Sequence, residues 1–106
     1  MELLQLRYFQ TAAKRESISK AAQEHGIPQP AMSQTIARLE KELGIKLFDR
    51  RNGRIYLNDK GKTFLAAVER ALEALDNGVK AVITDPHKIE GAIGLLAIEN
   101  RRFVLG

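Results

Sequence analysis

The stretch from Gly26 to Gly44, GIPQPAMSQTIARLEKELG, constrains the fold more than any other part of the chain. Met32, Ile36, Leu39 and Leu43 recur at spacings of four, three and four, so they share one helical face. Pro30, Ser33, Gln34, Ala37, Arg38 and Lys41 fall on the other faces and include no large apolar residue. Such a helix is anchored on one side and offers amide, hydroxyl and cationic groups on the other. Pro28 disfavours helical dihedrals at Ile27, and Pro30 is tolerated in a first helical turn. The helix is therefore expected from Gln29 or Pro30 to about Leu43.

What precedes this helix fits a pair. Leu3, Leu6, Phe9 or Gln10, and Ala13 predict a first helix over residues 2–14. Ser17 or Ser19 can cap a short second helix, and Ser19 is expected to be the cap, with Ala21, Ala22 and His25 following it. Gly26 supplies the left-handed residue that stops it. A short, glycine-terminated helix, a tight turn and an amphipathic helix make a helix-turn-helix pattern.

Two short strands are expected next, Leu47–Asp49 and Ile55–Leu57, joined at Asn52-Gly53, a dipeptide that tolerates positive φ at both positions. Arg50, Arg51 and Arg54 surround this turn. Asn58 can cap a fourth helix, in whose first turn Gly61 is tolerable. Leu65, Val68, Leu72, Leu75, Val79 and Val82 then alternate spacings of three and four, an a/d seam. A helix from Asp59 to about Thr84 would be ~39 Å long at ~1.5 Å per residue, more than so small a domain can cover. Its seam calls for a partner, and a second copy is the economical one. Asp85-Pro86 would end it. Beyond, GAIGLLAIEN reads as an apolar strand, and two strands around Glu99-Asn100-Arg101 would make a hairpin. The fold class is mainly α: a winged helix-turn-helix with a two-stranded β wing and a long C-terminal linker helix.

Charge is unevenly placed along the 106 residues. Residues 1–62 carry twelve Lys and Arg against seven Asp and Glu, whereas residues 63–106 carry five against six. A polyanionic partner is therefore expected at the first part. There is no cysteine, hence no disulfide or thiolate metal site. The start lacks the apolar run of a signal peptide, and nothing is long enough to span a membrane, so a cytoplasmic protein is expected. His25 and His87 have no partners at ligand spacing. No Ser/His/acid set, paired-carboxylate motif or glycine-rich phosphate loop appears, so neither an enzyme nor a cofactor-binding protein is expected.

The ordered string SxSxAAxxxGI, QPAxSxxIxxLExxLGxxLFxR and LxxxG, running through residues 17–61, resembles the DNA-binding domain of the LysR-type transcriptional regulators, and the likeness covers about residues 1–85. It implies a winged helix-turn-helix over 1–58, a dimerising linker helix over 59–85 and, in 86–106, a tail like the start of an effector-binding domain. Carried over by motif, Gln29, Pro30, Ser33 and Gln34 would face the major groove of double-stranded DNA. Ser17 and Ser19 would meet phosphate. Arg51 and Arg54 would reach backbone or minor groove, with Arg38 a further backbone candidate. Arg50, the arginine of LFxR, is expected to be structural, bonding across the wing base.

Three features depart from the family pattern. Pro28 stands where a serine or other small residue usually precedes the glutamine, so the side-chain cap is lost. Gln34 stands where arginine is frequent; glutamine favours adenine and arginine guanine. Regulators of this family continue into an effector-binding domain, and this chain is expected to carry none, as either a truncated or an abbreviated form. The expected function is a homodimeric, sequence-specific transcriptional regulator. The alternative is an abbreviated dimerising module that modulates a full-length relative through mixed dimers.

Overall fold

The computed structural model describes residues 1–84. The expected helix stop at Asp85-Pro86 and the expected apolar strand and hairpin of the tail lie outside the described residues. The element order is α1 (Leu3–Arg15), α2 (Ile18–His25), α3 (Gln29–Leu43), β1 (Phe48–Arg51), β2 (Arg54–Leu57) and α4 (Asp59–Ile83). This is a winged helix: mainly helical, with one two-stranded antiparallel sheet. Packing divides the chain into two compact units that meet in sequence at Glu69 and Arg70.

In the first unit, α1, α2 and α3 pack on one another around a small core. Phe9, Ala12, Ala21, Met32, Ile36, Leu39 and Leu47 are wholly shielded from solvent. The Phe9 ring meets Phe48 edge-on at 5.8 Å and lies 5.4 Å from Phe64, joining α1 to the wing and to α4. The expected apolar stripe of α3 is buried at Met32, Ile36 and Leu39 and half-buried at Leu43. The stripe of α1 is displaced from expectation. Leu3 is exposed and Leu6 half-buried, and Phe9, Ala12 and Ala13 form the buried face. Only the C-terminal half of α1 turns its apolar face fully inward.

The cap of α2 also differs from expectation. Ser17, with extended dihedrals, is the N-cap, and its Oγ accepts the Lys20 N–H at 3.0 Å. Ser19 is the second helical residue. Starting the helix at Ile18 puts Ile18, Ala21 and Ala22 at i, i+3 and i+4 on one buried face, which a cap at Ser19 would break.

Both strands run closer to the turn than expected, with Arg51 opposite Arg54. Asn52 (φ 52°) and Gly53 (φ 73°) occupy the two left-handed positions of the two-residue turn. Leu47 precedes β1. Its N–H and that of Phe48 donate to Glu40 Oε2 at 2.7 and 3.3 Å, so the single buried charged side chain among the described residues anchors the wing to α3. Asn58 begins α4 by a local clasp. Its Oδ1 accepts the Gly61 N–H at 2.7 Å, while its Nδ2 donates to the Lys46 carbonyl at 3.0 Å.

The described part of the second unit is the remainder of α4. Leu72 is buried there, Val79 is half-buried, and Leu75 and Val82 are 43% and 70% exposed. Val68, in the first unit, is buried and Leu65 half-buried. The heptad seam is thus unevenly available: Val68 and Leu72 are covered within the single chain, and Leu75 and Val82 are not.

Candidate nucleic-acid interface

The outward face of α3 is as the sequence predicts. Gln29, Pro30, Gln34, Ala37, Arg38 and Lys41 are exposed and Ser33 is half-buried. Arg38 and Lys41 have no acidic partner among the described residues. The two acids that could have neutralised them are otherwise engaged: Glu40 holds the wing backbone, and Glu42 accepts the Met1 ammonium at 2.7 Å.

A groove of about 340 Å³ runs between the starts of α2 and α3 and the wing. Ser17, Ser19 and Lys20 line it from α2, Gln29 and Ser33 from α3, and Arg50, Gly53 and Arg54 from the wing. These residues span 38 positions of sequence, and the fold brings them to one concave surface. Arg38 is not among them. It lies beside Leu4, Tyr8 and Thr35, on the side of α3 that faces the N-terminus.

The two helix starts offer different donors. In α2 the Lys20 N–H is taken by the Ser17 cap, which leaves the N–H groups of Ile18 and Ser19 without intrahelical acceptors. The Ser17 hydroxyl accepts that bond and keeps its own proton to donate. In α3 the N-cap is Pro28, which makes no side-chain cap. Pro30 has no N–H, and the Ala31 and Met32 N–H groups both donate to the Pro28 carbonyl at 3.0 and 3.2 Å. Only the Gln29 N–H is left. The general expectation that a helix start presents several free amides therefore holds for α2 and fails for α3.

The wing carries the strongest positive charge. Register places Arg50 opposite Ile55, so the two share a face, and Ile55 is buried against the domain. The Arg50 guanidinium consequently extends into the groove. It is exposed and makes no hydrogen bond or ion pair among the described residues, contrary to the expected structural bond across the wing base. The strand period places Phe48, Arg50, Ile55 and Leu57 on one face, but it does not show that this face opens into the groove at Arg50. The opposite face carries Arg51, Arg54 and Tyr56, with the guanidinium carbons of the two arginines 4.7 and 5.7 Å from the Tyr56 ring centre. Tyr56, unnoticed in the sequence, thereby stages both arginines.

Cations at the groove are not equivalent. Arg15 Nε and Nη2 donate to Glu24 at 3.1 and 3.2 Å, and that hydrogen bond holds the Glu24 carboxyl below its usual range. Lys20, Arg50 and Arg54 have no such partner among the described residues. The one carboxylate in the groove, Glu16, accepts the Leu57 N–H at 2.8 Å. His25 lies outside the groove, with Nε2 2.8 Å from Thr11 Oγ1 and its ring edge-on to Tyr8 at 4.7 Å. Burial lowers its pKa. Among the described residues no group of three or more His, Cys, Asp or Glu could hold a metal ion, and no helix is long and apolar enough to cross a membrane.

Residues 3–62 match the family described as bacterial regulatory helix-turn-helix protein, lysR family. The uncharacterized HTH-type transcriptional regulator YybE of Bacillus subtilis is 44% identical over 82 residues, covering 77% of this chain and 28% of that protein. The transcriptional dual regulator GltC of the same organism is 43% identical over 96 residues, covering 89% and 32%. The chain thus spans about a third or less of the length of these curated relatives. The crystal structure of the BenM DNA-binding domain with catB site 1 DNA superposes with a TM-score of 0.75 at 34% identity, covering 80% of this chain and 97% of that one. The CbnR DNA-binding domain–DNA complex gives 0.73 at 30% identity, covering 77% and 94%.

Proposed function

Because the chain belongs to the lysR family of bacterial regulatory helix-turn-helix proteins, we propose that it binds double-stranded DNA sequence-specifically, as a homodimer, and regulates transcription. The observation that carries this reading is the convergence of the α2 start, the α3 start and the wing arginines on one groove. In this reading α3 enters the major groove. Gln29, Pro30, Ser33 and Gln34 meet base edges, because amide and hydroxyl side chains match their donors and acceptors. Ser17, Ser19 and the α2 amides hold one stretch of phosphates. Arg50, Arg51 and Arg54 hold backbone or minor groove beside it, and Arg38 reaches the backbone on the other flank. Residues 1–58 do this work, and residues 59–85 join two copies through the exposed part of the seam. Two-fold symmetry then requires an interrupted palindrome.

Phosphate contacts supply affinity and salt dependence, and base-edge contacts supply sequence choice. Binding-site selection with the purified chain tests the proposal. An interrupted palindrome is expected, and selection of no consensus overturns sequence-specific binding. Within that experiment Gln34→Ala should relax one half-site position, at a cost of about 1–3 kcal/mol for the bidentate base bond it removes. An unchanged preference at every position would remove Gln34 from the reading set.

A further inference from the structure

Two non-glycine residues have positive φ among the described residues, Asn52 (52°) and Glu16 (47°). Asparagine is at home in a hairpin turn. Glutamate has no comparable affinity for the left-handed region, where a Cβ crowds the following carbonyl. The compensation at Glu16 lies 41 residues away. Its Oε2 accepts the Leu57 N–H at 2.8 Å, capping the edge of β2. An isolated two-stranded wing has little to hold its position. Glu40 ties β1 to α3, and Glu16 ties β2 to the corner between α1 and α2. The next residue along from Glu16 is Ser17, the cap of α2, whose first amides face the groove. Glu16 is thus bonded covalently to one anion-facing element and through its carboxylate to the other.

We propose that Glu16 is a positioning residue for DNA binding: it sets the spacing between the α2 start and the wing, so that Arg50 and Arg54 meet phosphates of the duplex that α2 already grips. This rests on the DNA-binding reading above. The charge makes the role testable, because Glu16 lines the same groove as both arginines. A negative charge there repels phosphate, so a purely electrostatic account predicts that any neutral replacement tightens binding. Positioning predicts that the replacement matters according to whether it can still accept the Leu57 N–H.

The experiment compares the wild-type chain, Glu16→Gln and Glu16→Gly on a duplex carrying the selected site, across a range of salt. Glutamine keeps an acceptor and loses the charge; it should bind at least as tightly as wild type, with Leu57 amide exchange equally slow. Glycine suits the left-handed corner and loses the acceptor. It should keep or raise the melting temperature, release the Leu57 amide and weaken DNA binding about tenfold. It should also lower the salt slope by about 0.9 for each phosphate that the wing no longer neutralises. A Glu16→Gly chain that binds as tightly as wild type, with its Leu57 amide released, overturns the positioning role. A wild-type chain that binds no duplex overturns the function on which it rests, so the two failures are distinguishable.

Discussion

Gly61, in the first turn of α4, lies so close to Leu47 that a Cβ at this position would overlap the Leu47 carbonyl oxygen and come within 2.5 Å of Leu57 Cδ1. The glycine is therefore required by a close approach of backbone to backbone, rather than merely tolerated near a helix start. The same Leu47 carbonyl accepts the Asn58 N–H at 3.0 Å, so α4 is fastened at the point where the wing begins.

Gly61→Ala is expected to destabilise the fold by about 1–3 kcal/mol through overpacking, despite alanine's better helix propensity. Urea unfolding of the two proteins measures the difference. A stabilised variant would show that the α4–Leu47 approach opens without cost.

Arg50→Ala and Arg54→Ala should each weaken binding to specific and random duplexes by the same factor. Each should also flatten the dependence of log K on log salt by about 0.9. Titrations at several salt concentrations check this. A loss confined to the specific site would reassign the arginine to base reading.

Stability should fall as pH drops through the ordinary histidine value of 6.5. Thr11 Oγ1 donates to the Arg7 carbonyl at 3.2 Å and is 2.8 Å from His25 Nε2, which makes Nε2–H the donor in the neutral ring. Burial lowers the folded pKa below the unfolded value, so between the two the unfolded chain binds more protons and stability rises with pH. Glu24 and Glu69, whose pKa values are lowered by hydrogen bonds from Arg15 and Lys14, act only below about 4.5, a separate window. His25→Gln should flatten the fall of the melting temperature as pH drops below 6.5; an unchanged profile would locate the effect elsewhere.

Leu75→Asp tests the proposed dimer better than a change at Leu72, which is buried in the single chain and would disturb it directly. Leu75 is 43% exposed, so aspartate there should leave the helix content intact and shift sedimentation toward monomer. A dimer of undiminished stability would remove Leu75 from the interface.

The elements legible in the sequence are those written in local chemistry. Gly26, Pro28 and Gly44 bracket α3, and Asn52-Gly53 closes the wing, because each acts on its own dihedrals. What stays hidden depends on partners distant in sequence. Glu40 looks like a surface acid until the Leu47 and Phe48 amides are brought to it, and Glu16 looks like the end of an apolar stripe until Leu57 arrives. Side-chain periodicity carries no signal for a carboxylate that bonds backbone. Arg50 departs from expectation for a different reason. Its strand neighbours are legible, but the inward face of a narrow wing ends in open groove, where a long side chain reaches solvent.

Pro28 and Pro30 leave α3 with one free amide at its start, while α2 keeps two beside a serine cap. A helix so poor in backbone donors has little with which to clasp a phosphate. On a duplex, its lengthwise register is then dictated by its neighbours, α2 on one side and the wing on the other. In the proposed complex the reading helix would be carried by the elements that hold, and a shift in either would move every base it addresses at once.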